Sequence, residues 1–249
     1  MICKYNSILP GLVLAMLILL PSTGCYGDIR SPNEDIVTLL TFLSAGENTL
    51  PVSGAAIWLR SDLGVNTDGS GNVSSWSDQS GNGRNATPVT GQPTFVNNQL
   101  NGYPAIHLNG STFMHTPSIT LGKYVMAIVV RVNSGSANHI LLEHGNNADA
   151  GDGSYLSASN TCSILVQRGG VISGKALSAN WAADDQFRLI AHVYNNSHNN
   201  NTLVVNGMAQ TGTSNCTANA DPGSANFSAA LNIGGRAATS AAITGDIVE

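Results

Sequence analysis

The apolar positions of this 249-residue chain repeat with a helical period between residues 31 and 46. Four apolar side chains there fall on one helical face: Ile36, Leu39, Leu40 and Leu43. Residues 31–34 read Ser-Pro-Asn-Glu, a capping box with proline at the first helical position, and Gly46 is placed to end the helix. The pattern predicts a short amphipathic helix. A weakly ordered tether is the alternative, because isolated helices of this length are marginal.

From about residue 53 onward the pattern changes to that of β-strands. The predicted strands are Tyr103–Asn109, Tyr124–Val132, 139–143, Ser154–Ser159, Ser163–Arg168, 188–194, 203–205, 208–211 and Leu231–Ile233. Tyr124–Val132 is almost continuously apolar, which predicts a strand that is buried on both faces. Asn206 and Gly207 can take the positive φ angles of a type I′ hairpin turn. The regular spacing of the strands favours an all-β, antiparallel sandwich.

The most distinctive segment runs from Trp58 to Ala86. Two tryptophans, Trp58 and Trp76, flank a polar loop and suggest two short strands, and a turn with the sequence Asp-Gln-Ser-Gly-Asn-Gly follows at residues 78–83. Both tryptophans are expected in the core, where their large apolar area counts most, although stacking on a sugar ring is the alternative. We expect Asp78 to accept hydrogen bonds from backbone donors of its own turn, which Gly81 and Gly83 shape.

Length and charge narrow the possibilities. The chain is long enough for one large β domain, and its charged residues make up only 10% of the sequence. The net charge of −5 provides no basic surface for nucleic acid, so no nucleic-acid partner is expected.

The N-terminal residues 1–24 have the form of an export signal, with Lys4 ahead of a mostly apolar run that is too short for a membrane span. Residues 21–25 read Pro-Ser-Thr-Gly-Cys and resemble the bacterial lipobox, in which the cysteine is lipidated and becomes the new N-terminus. Ser22 departs from that motif, which usually has leucine there. The resemblance implies a lipid anchor on Cys25, a tether over residues 25–52, and a location at the bacterial outer membrane or cell surface. An ordinary secretory signal is the alternative.

Two cysteines remain in the exported part of the chain. Cys162 and Cys216 form a possible disulfide pair in an oxidising compartment. Two unpaired, buried thiols are the alternative, because sequence does not establish their separation.

Several blocks resemble the laminin-G-like, concanavalin A-like lectin and glucanase family. Besides the Trp58 to Ala86 segment, they are Asn-Gly-Tyr-Pro-Ala at 101–105, Leu-Val-Val-Asn-Gly at 203–207, Leu-Asn-Ile-Gly-Gly-Arg at 231–236, and Gly-Asp-Ile-Val-Glu at 245–249. The resemblance implies a concanavalin A-like jelly roll over residues 53–249 that serves as a recognition module. In the family the last block opens a longer closing strand, but this chain stops at Glu249. We therefore expect a C-terminal truncation with a frayed closing strand and an exposed sheet edge.

Candidate chemistry is sparse. No cluster of the Glu-x-Asp-x-Glu type is present to supply the paired carboxyl groups of a glycosidase, so no catalytic residues are assigned. The histidine spacings match no zinc site, and satisfied or surface histidines are expected. The family often binds calcium, and Asp149 and Asp152 are the candidate ligands of a weak site, unless they only shape their loop. Trp181, in a turn-rich segment, is the candidate exposed aromatic for ligand contact.

These features favour an envelope-anchored, non-catalytic sandwich that binds a glycan or an extracellular matrix or host protein through its loops. The sequence requires no cofactor for this role, and calcium is the only one considered. A carbohydrate-active enzyme of the same fold is one alternative, and a purely structural envelope lipoprotein is another.

Overall fold

The computed structural model describes residues 54–121, 124–133, 138–145, 154–159, 163–168, 171–176, 185–194, 201–209, 212–213, 227–236 and 241–249. Residues from Ala55 to Glu249 form one compact unit. The described residues contain strands, turns and bends, and no helix. Accordingly, none of the described segments has the length and apolar character of a membrane-crossing helix. The predicted amphipathic helix lies outside the described residues.

The strands are short and follow each other closely along the chain. They are β1 (Val65–Thr67), β2 (Val73–Trp76), β3 (Thr87–Thr90), β4 (Thr94–Leu100), β5 (Tyr103–Asn109), β6 (Phe113–His115), β7 (Ile119–Leu121), β8 (Tyr124–Val132), β9 (Asn138–His144), β10 (Ser154–Ser159), β11 (Ser163–Arg168), β12 (Val171–Ala176), β13 (Phe187–Tyr194), β14 (Asn201–Val205), β15 (Met208–Ala209), β16 (Gly212–Thr213), β17 (Phe227–Ala229), β18 (Leu231–Ile233) and β19 (Thr244–Ile247).

Two large antiparallel sheets are built from these strands. One has eight strands in the order β16-β12-β11-β10-β9-β18-β6-β3, and the other has seven in the order β15-β14-β13-β8-β19-β5-β4. Two small ribbons, β1-β2 and β17-β7, complete the pairing among the described strands. The structure therefore confirms the predicted all-β class and the antiparallel sandwich.

The core lies between the two large sheets. Ile106, Ile128 and Ile247 of the seven-stranded sheet belong to the same buried cluster as Met114 and Ile233 of the eight-stranded sheet. Burial of such side chains is the dominant favourable term in folding, about 1.5–3 kcal/mol for each. The sandwich is thus held together by its inner faces.

Strand β8 differs from its prediction. Along Tyr124–Val132, buried side chains alternate with less buried ones, and Val125 is 43% exposed. The prediction of burial on both faces is wrong, because three outward residues, Val125, Ala127 and Val129, are apolar but less covered than the inward ones, and the fourth is an arginine. Apolar residues on an outer face produce a continuous apolar run that sequence alone cannot distinguish from a fully buried strand.

The hairpin between β14 and β15 has the predicted turn. Asn206 has a φ of 49° and Gly207 a φ of 82°, which are the left-handed conformations of a type I′ turn. The side-chain Oδ1 of Asn206 also accepts a hydrogen bond from the Leu189 backbone N–H at 3.0 Å. The turn is therefore tied to the neighbouring strand β13.

The last strand occupies the middle of its sheet. Residues of β19 pair with β5 on one side and with β8 on the other, as in Ile247 opposite both Ile106 and Val130. The backbone N–H of Val248 continues the pairing to the Val129 carbonyl at 2.9 Å. The prediction of fraying is wrong for the described residues of β19, because pairing on both sides satisfies their backbone groups. The predicted truncation and the exposed edge that it would leave stay predictions.

The tryptophan segment forms part of the core, as predicted. Trp76 is 1% exposed and ends β2, and its Nε1 donates to the Arg60 carbonyl at 2.8 Å. Trp58 is buried too, but it lies outside any strand, so the prediction of a strand there is wrong. The two short strands of this segment, β1 and β2, both come after Trp58.

Asp78 organises the turn that follows. One carboxylate oxygen accepts the Trp58 and Ser80 backbone N–H groups at 2.9 Å each, and the other accepts the Arg84 backbone N–H at 2.9 Å. Gly81 and Gly83 have φ angles of 86° and 66°, so the turn uses conformations that suit glycine. The predicted role of Asp78 is confirmed, and its contact with Trp58 fastens the turn to the opening segment of the sandwich.

Replacing Asp78 by asparagine should lower the free energy of unfolding by about 1–3 kcal/mol at pH 7. One carboxylate oxygen becomes an amide nitrogen, which cannot accept the backbone hydrogen bonds that this oxygen accepts. Burial alone raises the pKa of Asp78, but the N–H groups of Trp58, Ser80 and Arg84 outweigh it and lower the pKa. The pKa of Asp78 is lower in the folded state than in the unfolded state. Its carboxylate therefore contributes its whole stabilisation at pH values above the unfolded-state pKa, and this stabilisation is lost as the pH falls through the folded-state pKa. Urea unfolding should therefore show the two proteins converging at low pH; an equal gap at pH 7 and pH 3 would contradict this.

Candidate binding face

The outer face of the seven-stranded sheet carries a row of side chains drawn from neighbouring strands. On β5, β8 and β19, Ile106, Val130 and Ile247 point into the core, so the alternate residues point outward. The register places one outward residue of each of β4, β5, β19, β8 and β13 in line across the strands: Thr94, His107, Asp246, Arg131 and Phe187. We call these five residues the polar row.

Asp246 is the centre of the polar row. Its side chain is 4% exposed, yet it lies between two partly exposed partners. Oδ1 is 3.0 Å from His107 Nδ1, and Oδ2 accepts from Arg131 Nε at 2.9 Å and from Arg131 Nη2 at 2.6 Å. The carboxylate is thus compensated by a guanidinium and hydrogen-bonded on both oxygens, which is the condition for keeping a charge out of water.

Arg131 is held from three directions. Besides Asp246, its Nη2 donates to Gln99 Oε1 at 2.8 Å, and its guanidinium carbon lies 4.8 Å from the centre of the Phe187 ring. A guanidinium over an aromatic face is a favourable arrangement. Among the described residues, no acceptor receives a hydrogen bond from Arg131 Nη1. This nitrogen belongs to a side chain that is 28% exposed.

His107 has a fixed tautomer in its neutral form. A carboxylate that pairs with a guanidinium only accepts, so Nδ1 of the imidazole donates to Asp246 and Nε2 is left as an acceptor. Nothing in the described part of the chain donates to Nε2, and the His107 side chain is 32% exposed. The polar row therefore presents one donor site and one acceptor site on either side of a buried carboxylate.

An apolar row runs beside the polar row on the same face. Two residues farther along the strands, Val96 lies opposite Ala105, and Val129 lies opposite Leu189. Val96, Val129 and Leu189 are half-buried, whereas Ala105 is fully buried. The face is therefore amphipathic: polar atoms with fixed directions lie next to three partly accessible aliphatic side chains. We call these four residues the apolar row.

The polar row was not predicted from the sequence. Arg131 and His107 are polar residues at outward positions of strands whose bounds were predicted correctly. Asp246 lies in the Gly-Asp-Ile-Val-Glu block, which indicates a fold and no binding site. Polar residues at outward positions of apolar strands could have indicated a surface site. Which of them lie next to each other, however, depends on the register of strands that are far apart in sequence.

The site residues predicted from sequence fall into two groups. Trp58, Trp76, Asp78, Gly81 and Gly83 are described and form the opening of the sandwich. The remaining predicted residues lie outside the described ranges: Cys25, Asp149, Asp152, Cys162, Trp181 and Cys216. The lipid anchor, the disulfide, the calcium site and the exposed tryptophan therefore stay predictions.

A second charged cluster is closed to ligands. Glu143 on β9 is 0% exposed and forms an ion pair with Arg236, with contacts of 2.9 Å to Arg236 Nε and 2.6 Å to Arg236 Nη2. Asn232 of β18 lies beside them and donates to the Gly145 carbonyl at 2.9 Å. Because all three residues are buried, this cluster serves the interior of the fold.

A third cluster joins the two ends of the sandwich sequence. Trp58 Nε1 donates to Glu249 Oε1 at 2.6 Å, and Arg60 lies over the Trp58 ring while pairing with Asp62 at 2.6 Å. Burial raises the pKa of Glu249 to about 7, although the Trp58 and Arg60 contacts favour its charged form. The cluster fastens the opening segment onto the strand that ends the described sheet.

Two histidines are buried, and each has a hydrogen-bond partner on one ring nitrogen. His144 Nε2 contacts the Ile119 carbonyl at 2.9 Å, and His192 Nδ1 is 3.4 Å from the Tyr124 hydroxyl. Within the described ranges, no three His, Cys, Asp or Glu side chains come together in a group that could hold a metal ion.

No protein-family profile and no curated protein matches this chain. Domain 4 of an extracellular arabinanase from Geobacillus stearothermophilus, solved with arabinotriose, is similar in structure, with 14% identity, a TM-score of 0.48, and coverage of 69% of this chain and 83% of that chain.

Two other solved structures are also similar. A carbohydrate-binding module from Bacillus subtilis has 10% identity, a TM-score of 0.36, and coverage of 65% of this chain and 90% of that chain. The binding domain of Paraclostridial Mosquitocidal Protein 1 has 13% identity, a TM-score of 0.43, and coverage of 72% of this chain and 49% of that chain. None of the three TM-scores reaches 0.5, so the sandwich assignment rests on the strand register of the chain itself.

Proposed function

We propose that this protein is a glycan-binding β-sandwich and that the polar row, with the apolar row beside it, is its binding surface. The observation that carries the proposal is the position of Asp246, which fixes Arg131 and His107 while leaving Arg131 Nη1 and His107 Nε2 directed away from it. Polar atoms that are fixed before a ligand arrives cost little entropy on binding.

The chemistry of the face matches that of a sugar. A sugar hydroxyl both donates and accepts hydrogen bonds, and the ring carries apolar C–H groups on its faces. Arg131 supplies a donor and His107 an acceptor, while Val129 and Leu189 supply an adjoining apolar strip. Binding sites for small ligands commonly combine a mainly apolar surface with a few fixed polar groups.

The proposed role is binding without hydrolysis. Glycosidases use two carboxyl groups, about 5–5.5 Å apart in retaining enzymes and about 6.5–9.5 Å apart in inverting enzymes. The polar row has one carboxylate among its five residues, and that carboxylate is engaged by Arg131 and His107. A surface of this kind holds a glycan and offers no second carboxyl group to cleave it.

The cellular setting is proposed from the sequence. The lipobox-like residues 21–25 support an anchor on Cys25 at the bacterial cell envelope. An anchored sandwich would hold glycans at that surface. An extracellular protein is the other partner class that the sequence favours, and binding of proteins without any glycan would replace the present proposal.

Affinity electrophoresis of the full chain in gels that contain arabinan, xylan, β-glucan or galactomannan tests the proposal. We expect retardation by at least one polymer, and we expect Arg131→Lys and His107→Ala each to weaken it about 10-fold or more, because each removes a hydrogen bond of about 1.5–3 kcal/mol. Arg131→Lys keeps the charge beside Asp246, which limits damage to the fold.

Val125→Ala is the matched control. Val125 is on the same strand and the same outer face as Arg131, roughly 20 Å away at about 3.3 Å per residue. It should leave retardation unchanged. Retardation that survives both substitutions in the polar row would place the binding surface elsewhere.

A further inference from the structure

We infer that the ligand of the polar row is an uncharged sugar, one hydroxyl of which accepts from Arg131 Nη1 while another donates to His107 Nε2. This inference rests on the proposed function and names the substrate class of the same site.

Both edges of the Arg131 guanidinium that present two nitrogens are occupied by protein acceptors. Arginine recognises carboxylate, sulfate and phosphate groups best through two parallel N–H bonds from neighbouring nitrogens. Here the Nε and Nη2 edge is directed at Asp246 Oδ2, at 2.9 and 2.6 Å. The second hydrogen of Nη2 is directed at Gln99 Oε1, at 2.8 Å. Neither two-nitrogen edge is left for an anionic group, and only single bonds from Nη1 remain.

His107 presents an acceptor to the ligand. With Nδ1 donating to Asp246, the neutral imidazole offers a lone pair at Nε2. A ligand carboxylate or sulfate has only acceptor oxygens and leaves that lone pair unsatisfied. A hydroxyl satisfies it by donating, and the same sugar can accept from Arg131 through a second hydroxyl.

Charge also disfavours an anionic ligand. The guanidinium of Arg131 is already compensated by Asp246, so the pair has no net charge to attract an anion. The whole chain carries a net charge of −5, which opposes the approach of acidic polymers. Specificity for uncharged sugars thus follows from the ion pair between Arg131 and Asp246, which neutralises the charge of the arginine.

The test compares neutral and acidic polymers on the full chain, by affinity electrophoresis at low ionic strength, where charge effects are strongest. The neutral set is arabinan, xylan, β-glucan and galactomannan, and the acidic set is polygalacturonate, alginate and hyaluronate. We expect retardation by a neutral polymer and none by the acidic set. If acidic polymers retarded the chain as strongly as neutral ones, the inference would be overturned, but the proposed function would still hold. Retardation by no polymer of either set would overturn the proposed function itself.

A matched pair of variants at Gln99 sharpens the test. Gln99→Ala frees the second hydrogen of Arg131 Nη2 and so opens a two-nitrogen edge. It should produce retardation by polygalacturonate where the unsubstituted chain shows none, since charge-assisted paired bonds are the strong ones. Gln99→Glu keeps that edge occupied and should show no gain in polygalacturonate binding relative to neutral binding. Neutral binding is measured for both variants, because Gln99 also holds Arg131. A gain with Gln99→Glu, or none with Gln99→Ala, would show that the occupied edges of Arg131 do not set specificity.

Discussion

Replacing Arg236 by methionine is expected to lower the free energy of unfolding by about 3–5 kcal/mol, because it leaves a carboxylate buried without its guanidinium partner. Glu143 is 0% exposed and its two oxygens lie 2.6 and 2.9 Å from Arg236 nitrogens. Arg236 follows β18, so the pair ties the segment after that strand to β9. Loss of this much free energy is a large share of the 5–15 kcal/mol that stabilises a typical domain.

Urea unfolding followed by circular dichroism measures this loss. The double substitution of Glu143→Leu with Arg236→Met should recover part of it, because no buried charge is then left alone. Arg84→Met is a suitable control, since the Arg84 guanidinium donates to the Ala56 carbonyl at 2.7 Å and should cost about 1 kcal/mol. A loss below about 1 kcal/mol for Arg236→Met would mean that the pair contributes no more than a surface salt bridge.

Gly245→Ala is the second substitution with a large expected effect. A Cβ at this position would lie 3.1 Å from both the carbonyl carbon of Arg131 and the Cα of Val132, and closer still to the Arg131 carbonyl oxygen. These are backbone atoms of β8, which is paired on both sides and cannot yield easily. Overpacking costs about 1–3 kcal/mol and sometimes more, and we expect about 3 kcal/mol here.

The same substitution should weaken glycan binding, because a shift of β19 against β8 moves Asp246 relative to Arg131. Thermal or urea unfolding gives the first quantity and affinity electrophoresis the second. Gly69→Ala is the control, since an added Cβ there meets nothing within 4 Å and should change stability by no more than about 0.5 kcal/mol. If Gly245→Ala behaved like Gly69→Ala, the close approach of β19 to β8 would be refuted.

Local structure was the predictable part of this fold. Tyr103–Asn109 and Ser163–Arg168 have the bounds expected from alternation, and the turn at Asn206 follows from the conformational freedom of Asn-Gly. Asp78 was also predictable, because an aspartate two residues before a serine, in a glycine-rich turn, has backbone donors within reach. Each of these conclusions depends on residues that are near each other in sequence.

The candidate site could not be predicted in the same way. His107 and Asp246 are 139 positions apart, and they meet only because β19 inserts between β5 and β8. The same insertion explains why fraying of β19 was predicted wrongly, since its two neighbours, β5 and β8, are distant from it in sequence. Trp58 was misplaced for a different reason: its burial comes from docking of an irregular segment, and β-propensity does not distinguish that from a strand.

Backbone amide chemical shifts of the isotopically labelled full chain, titrated with oligosaccharides of the polymer that retards it best, would locate the bound sugar on the sandwich. We expect the largest shift changes in β5, β19 and β8 around His107, Asp246 and Arg131, and we expect Arg131→Lys to abolish them. If the sugar bound while the amide signals of these three strands stayed unchanged, the binding surface would be somewhere other than the polar row.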